Sequence, residues 1–176
     1  PLAKPENSDP KNLFRVYTLF SRLYFYFDDF DNAEKSAKVA LDSAPASAQE
    51  SSEIQGAHAI LANIAGEKKD FAYAENEIAK ARQAGSPPHI NCVLANAYYR
   101  GGDYAKAIVT ALAVTAHDGY IYSICVATLA QSHNARGDTG KAKEYYKDYL
   151  DLTAPWTEKN IFVMRYREMF SKDLSE

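Results

Sequence analysis

Two histidines and two cysteines are the residues of this sequence whose types suit metal chemistry best. His89 and Cys92 lie three positions apart, which places both on one face of a helix, and His133 and Cys125 add an imidazole and a thiol of the kind that zinc binds. The sequence contains a repeated pattern of paired helices, in which His89 and Cys92 take positions that face a groove and His133 takes a position between packed helices. We therefore predict no metal site and expect His133 and Cys125 to lie partly in the core.

Catalytic motifs are the next class of chemistry to consider. The acidic run from Asp28 to Asp31 lacks the carboxylate spacing and the glycine of a calcium loop, so turn and helix-capping roles explain it better. The sequence contains no glycine-rich phosphate loop, nucleophile elbow or zincin motif. We predict that the protein is not an enzyme and needs no cofactor.

Composition narrows the class of partner. The chain has 176 residues, of which 47% are hydrophobic, and a formal net charge of −3 with acidic and basic residues interspersed. This balance does not favour nucleic acid, and the most apolar stretch, Leu19–Phe30, is interrupted by charges and cannot span a membrane. Two cysteines are too few for a disulfide framework and do not identify a compartment. Because the chain begins at Pro1 instead of Met, removal of an export signal, an anchor or further domains is one interpretation, and the localisation stays open.

The elements that position these residues follow one recurring pattern. Each copy has a large apolar residue followed by a small residue, which is alanine in three copies and Ser21 in the first, then a two-residue turn ending in aspartate, then a further alanine. The four turns are Asp28-Asp29, Lys69-Asp70, Gly102-Asp103 and Gly137-Asp138. In the clearest copy Leu94, Ala95 and Tyr98 share one helical face, and Gly102 and Asp103 suit the end of one helix and the N-cap of the next. The pattern predicts a helix–turn–helix hairpin repeated four times.

This pattern resembles the tetratricopeptide repeat, whose period is about 34 residues, and the resemblance runs from Tyr17 to Pro155. It implies an all-α, right-handed superhelical solenoid of about four helix hairpins with a C-terminal capping helix. The expected boundaries are a flexible lead-in at 1–12, repeats at 13–46, 47–86, 87–118 and 119–154, and the capping helix at 155–176. Ala154-Pro155 is the expected start of that helix.

The copies depart from the family pattern in two ways. Asp28 and Lys69 replace the turn glycine in the first two repeats. The interval between the first two turns is also about seven residues too long, and the surplus Ala46–Ile54 contains a capping-box pattern at Ser47 and Glu50. We predict that the surplus lengthens the first helix of repeat two by about two turns.

The resemblance also implies a concave wall built from the first helix of each repeat. The positions of this wall that resemble the family's ligand contacts, and that we take as the candidate binding site, are Arg22, Phe25, Tyr26, Asn63, His89, Asn96, Tyr99, Arg100, Gln131 and Asn134. Asn63, Asn96 and Gln131 share one register, which predicts a ladder of amides that bind an extended peptide backbone. The alternative is that these amides satisfy neighbouring helices.

The function implied is that of a protein–protein interaction adaptor, which binds a peptide or protein segment in its groove as part of a larger assembly. A carboxylate clamp of the chaperone-binding type is not expected, because Ala59, Cys92, Ala127 and Gln131 fill its cationic positions. The alternative is a self-associating scaffold, a homo-oligomer. Eight aromatic rings between Phe14 and Phe30 exceed what one helix face can bury, and these rings together with the C-terminal helix would make the subunit contacts.

Overall fold

The structure is a computed structural model that describes residues 10–48, 52–85, 90–115, 119–156 and 161–175. Over these ranges the chain is helical and contains no strand, which confirms the all-α class. The α-helices are α1 (Pro10–Tyr26), α2 (Phe30–Ser43), α3 (Ser52–Glu67), α4 (Phe71–Gln83), α5 (Asn91–Arg100), α6 (Tyr104–Leu112), α7 (Gly119–Ala135), α8 (Thr139–Thr153) and α9 (Ile161–Ser175). None of the helices described is long and apolar enough to cross a membrane.

The helices pack in consecutive pairs and also in series. Each odd-numbered helix from α1 to α7 contacts the even-numbered helix that follows it, and α1, α3, α5 and α7 contact one another in order. Small residues allow this closeness: Ala33, Ala74, Ala107 and Ala142 are almost completely buried. At Gly66 of α3 an added Cβ would lie 2.2 Å from the carbonyl oxygen of the facing α5, so the two backbones touch there.

All four turns share one local geometry. The residue before the aspartate has a left-handed backbone, with φ of 59° at Asp28, 58° at Lys69, 84° at Gly102 and 79° at Gly137. Each following aspartate accepts a hydrogen bond from the backbone N–H three positions later, at 3.0 to 3.3 Å. The predicted roles of both glycines and both of their aspartates are confirmed, and the two non-glycine turns adopt the same conformation.

The surplus segment in repeat two differs from its prediction. Ala46–Ala48 forms a 3₁₀ turn, and α3 begins only at Ser52, so the predicted extension of the helix through the whole segment is wrong. Pro45 provides the reason, because a residue that precedes proline avoids the helical region and Ala44 is extended, with ψ of 124°. Glu50 of the expected capping box lies outside the described residues.

Both chain ends also differ from the expected boundaries. Residues 1–9 of the expected lead-in lie outside the described ranges, but 10–12 already belong to α1. At the other end Ala154–Trp156 forms a 3₁₀ turn, and the C-terminal helix α9 begins at Ile161 instead of Pro155. This helix packs on α8, with the ring of Phe170 4.5 Å from that of Tyr146.

Candidate functional site

A pocket of about 370 Å³ lies where α1, α3, α5, α7 and α9 come together. Six of the ten side chains predicted for the groove line it, namely Phe25, Tyr26, Asn96, Tyr99, Arg100 and Gln131. The other lining residues, which were not among the ten predicted for the site, are Asp28, Glu67, Tyr104, Arg165, Tyr166 and Met169. The pocket therefore has one wall, α9, that the repeat register did not supply.

Three of the remaining four predicted residues, Arg22, Asn63 and Asn134, do not line the pocket. Arg22 is exposed, and its guanidinium lies over Gly56, where an added Cβ would be 2.7 Å away from it. Asn63 donates from Nδ2 to the carbonyl oxygen of Ala59 in its own helix, at 3.1 Å. Asn134 is exposed near the end of α7, and His89 lies outside the described residues.

Arg100 is held in place by contacts from three helices. Its Nε donates to Asn96 Oδ1 at 3.1 Å, and its Nη1 is paired with the carboxylate of Glu67. The guanidinium carbon also lies 4.8 Å from the ring centroid of Phe25, a distance at which a cation is attracted to the ring face. A cation bound on three sides in this way is a rigid part of the pocket wall.

Arg165 of α9 closes the pocket from the opposite side. Its Nη1 donates to the carbonyl oxygen of Tyr26 at 2.6 Å, and its Nη2 donates to Asp28 Oδ2 at 2.9 Å. The hydrogen bond that Arg165 donates to Asp28 raises the pKa of Arg165 above its usual value, and the guanidinium lies 5.5 Å from the Tyr26 ring centroid. The C-terminal helix thus contacts the first hairpin as well as the last.

The three amides do not form a ladder open to a peptide. Asn63 bonds within α3 and Asn96 is buried beside Arg100, so both satisfy neighbouring groups of the protein. Asn63 Oδ1 and Gln131 Oε1 are both buried and find no hydrogen-bond partner in the part of the chain that the structure describes, and of these two residues only Gln131 lines the pocket. A buried acceptor of this kind is costly unless a donor reaches it.

Cys92 and Cys125 form a disulfide that joins α5 to α7. Both side chains are completely buried, so Cys92 does not lie on an open groove wall as its register implied. The 33-residue separation is close to one repeat period, which brings equivalent parts of successive repeats together. His133 lies apart from the disulfide, with its ring stacked on Tyr145 and Nδ1 3.3 Å from Asp138.

A buried carboxylate between α3 and α4 was also missed by the sequence analysis. Glu77 is 1% exposed, His58 Nδ1 lies 2.7 Å from its Oε2, and Lys80 Nζ donates to its Oε1 at 2.6 Å. Burial by itself would raise the pKa of Glu77, but the hydrogen bonds from His58 and Lys80 outweigh it and the pKa is lowered. Because both carboxylate oxygens of Glu77 are engaged by His58 and Lys80, this cluster joins α3 to α4 and stabilises the hairpin.

A scan of protein-family models, a search of curated proteins and a search of solved structures each find no match for this chain. Its function must therefore be argued from the geometry of its own pocket.

Proposed function

We propose that this chain is a protein-binding module of the tetratricopeptide kind, in which about four hairpins stack as a right-handed solenoid and the inner pocket holds a segment of another protein. Two observations support the fold proposal. The four turns repeat one backbone geometry, and the first helices of the four hairpins pack in series. The observation that carries the functional proposal is the convergence of six predicted groove residues on one pocket.

The chemistry of the pocket limits what it can hold. Its volume is at the lower end of the range of ligand sites, about 300–1,000 Å³, so it accommodates one or two side chains of a partner and not a long extended peptide. The charges of Glu67 and Asp28 are paired with Arg100 and Arg165. The ligand that fits is therefore uncharged or internally balanced, with a planar apolar body for the rings and a donor for Gln131 Oε1.

Selection from a random peptide library tests this proposal. The selected peptide is titrated calorimetrically into the wild-type protein and two variants. Tyr99→Ala removes a pocket ring, and we expect the Kd to rise about ten-fold or more. Asn134→Ala, on an exposed position outside the pocket, is the matched control and should leave the Kd unchanged. Equal binding by Tyr99→Ala and wild type, or a library without any binder, would count against the pocket as the site.

The alternative of a self-associating scaffold would have to use the exposed side of α9, because the opposite side is buried within the chain. Val163 and Phe170 of α9 are completely buried, and Tyr146 and Tyr149 of α8 supply the rings that pack around Phe170. A second copy cannot reach these residues without displacing α9. Met164 on the other side of α9 is 52% exposed, so this alternative keeps the exposed side of α9 as well as the aromatic N-terminal face.

A further inference from the structure

The outer face of α1 carries a continuous apolar stripe. Val16, Leu19, Leu23 and Phe27 are 44%, 58%, 52% and 71% exposed, and their spacing of three, four and four positions aligns them along one side of the helix. Exposed apolar residues that occur singly need no explanation, whereas a row of three on one helix, continued by Phe27 directly after its end, marks a surface for contact.

The stripe is not a displaced part of the core. The inward face of α1, which packs on α2 and α3, includes Thr18 and Ser21, both almost completely buried. Their hydroxyls are satisfied, because Thr18 donates to the Phe14 carbonyl oxygen at 2.9 Å and Ser21 to the Thr18 carbonyl oxygen at 2.8 Å. The helix thus buries Thr18 and Ser21 beside Phe14 and exposes Leu19 and Leu23, an arrangement that costs stability unless something covers the stripe.

The two edges of the stripe differ in chemistry. Tyr17, Phe20 and Tyr24 continue the apolar surface on one edge, with ring centroids 6.2 Å apart along the row. Arg15 and Arg22 are both exposed and lie seven positions apart, about two turns, which places them on the other edge. The helix has no acidic residue from Pro10 to Tyr26. The patch is therefore apolar in the middle and basic on one side.

We infer that this face docks an amphipathic helix of another protein, whose apolar stripe is flanked by acidic residues. An apolar seam on α1 matches the helix-docking mode of recognition, and carboxylates on the incoming helix would complement Arg15 and Arg22. A second copy of this chain fits less well, because an antiparallel pairing of two α1 helices sets the arginine edges against each other. The site is separate from the pocket, which α1 lines with Phe25 and Tyr26.

Two synthetic helices that share an apolar stripe but carry Glu or Lys beside it are the probes. Fluorescence anisotropy should show the acidic helix binding the wild-type protein about ten-fold or more tightly than the basic helix. Leu19→Ala with Leu23→Ala should weaken this binding about ten-fold. Arg15→Glu with Arg22→Glu should reverse the preference between the helices. Val109→Ala with Leu112→Ala removes equally exposed apolar groups from α6 and should change nothing.

Four results would overturn the inference. Equal binding of the two helices would show that the flanking charge is not recognised, and binding that survives the paired leucine substitutions would show that the stripe is not the site. A dimer detected by sedimentation that these substitutions abolish would assign the face to a second copy. Stronger binding to anionic phospholipid vesicles than to the acidic helix would assign it to a membrane surface. Circular dichroism checks that every variant remains folded.

Discussion

At the C-terminal end of the chain α9 lies on α8 and buries Phe170 completely, whereas at the N-terminal end α1 turns Leu19 and Phe27 toward solvent. In the proposed stack of hairpins, the first and the last hairpin each have one side without a neighbouring hairpin. Among the described residues, α9 covers the last hairpin, whereas no described segment covers the apolar stripe of α1. This difference is what the proposed docking of a partner helix on α1 depends on.

The first half of the chain, α1 to α4, and the second half, α5 to α9, also differ in the bonds that join their helices. Between α5 and α7 the chain uses a covalent bond, the disulfide of Cys92 and Cys125. Between α3 and α4 it uses a buried ion pair, in which Glu77 contacts His58 and Lys80. The contact between α5 and α7 is therefore sensitive to reductant, whereas the contact between α3 and α4 is sensitive to acid. Substitutions in each half can test how far this division holds.

The largest effect is expected from Phe170→Ala, which removes the buried ring that covers the last hairpin. Phe170 contacts the rings of Tyr146 and Tyr149 at centroid distances of 4.5 and 5.0 Å. Loss of a fully buried phenylalanine should lower the free energy of unfolding by about 3–5 kcal/mol. Met164→Ala, at a position 52% exposed on the same helix, should change it by less than about 0.5 kcal/mol. Urea denaturation measures both, and equal effects would mean that α9 does not cap the array.

The sequence predicted those parts of the fold that depend on local chemistry. Glycine adopts a left-handed backbone readily and aspartate is a preferred N-cap residue, so the turn at Gly102 and the cap at Asp103 could be predicted from these two residue types. The helical register likewise named six of the residues that meet in the pocket. Asn63 shows its limit, since a register gives the face of a helix but not the bonds that a side chain makes there.

Contacts between distant segments could not be predicted in the same way. Arg165 and Asp28 are 137 residues apart, and no pattern within either segment indicates that they meet. His58 and Glu77 each look like a surface residue, and only the packing of α3 on α4 brings them together. The spacing of the two cysteines was visible and close to one repeat, but counting thiols without the repeat geometry gave no reason to pair them.

The second-largest effect is expected from removing the disulfide. Closing a loop of this size restricts the unfolded chain and typically contributes about 2–4 kcal/mol. The protein unfolded and refolded in the presence of dithiothreitol should therefore have a lower Tm than the oxidised protein. Cys92→Ala with Cys125→Ala should be less stable than the oxidised wild type and should not respond to the reductant. A wild-type Tm that is the same with and without reductant would show that the bond does not contribute.

A smaller effect, and one that depends on pH, is expected from Glu77→Gln. The charged hydrogen bonds lost at neutral pH contribute about 1–3 kcal/mol. Because the pKa of Glu77 is lowered in the folded protein, its stabilisation is fully present above the pKa of the unfolded chain and is lost as the pH falls through the folded value. The stability difference between wild type and variant should thus shrink in acid. A difference that is constant with pH would remove the ion pair as the cause.

The smallest effect is expected at the turns, where the two halves differ only in residue type. Lys69 and Gly102 have φ of 58° and 84°, and an added Cβ at Gly102 would meet nothing within 4 Å, so the backbone alone decides. The left-handed conformation costs a non-glycine residue about 1–2 kcal/mol, and glycine loses about 0.4–1 kcal/mol more through the entropy of the unfolded chain. Lys69→Gly should therefore stabilise the protein by about 0.5 kcal/mol in thermal denaturation, and Gly102→Ala should destabilise it by a similar amount. If Lys69→Gly were destabilising instead, the side chain of Lys69 would have to stabilise the folded protein by more than its left-handed backbone costs.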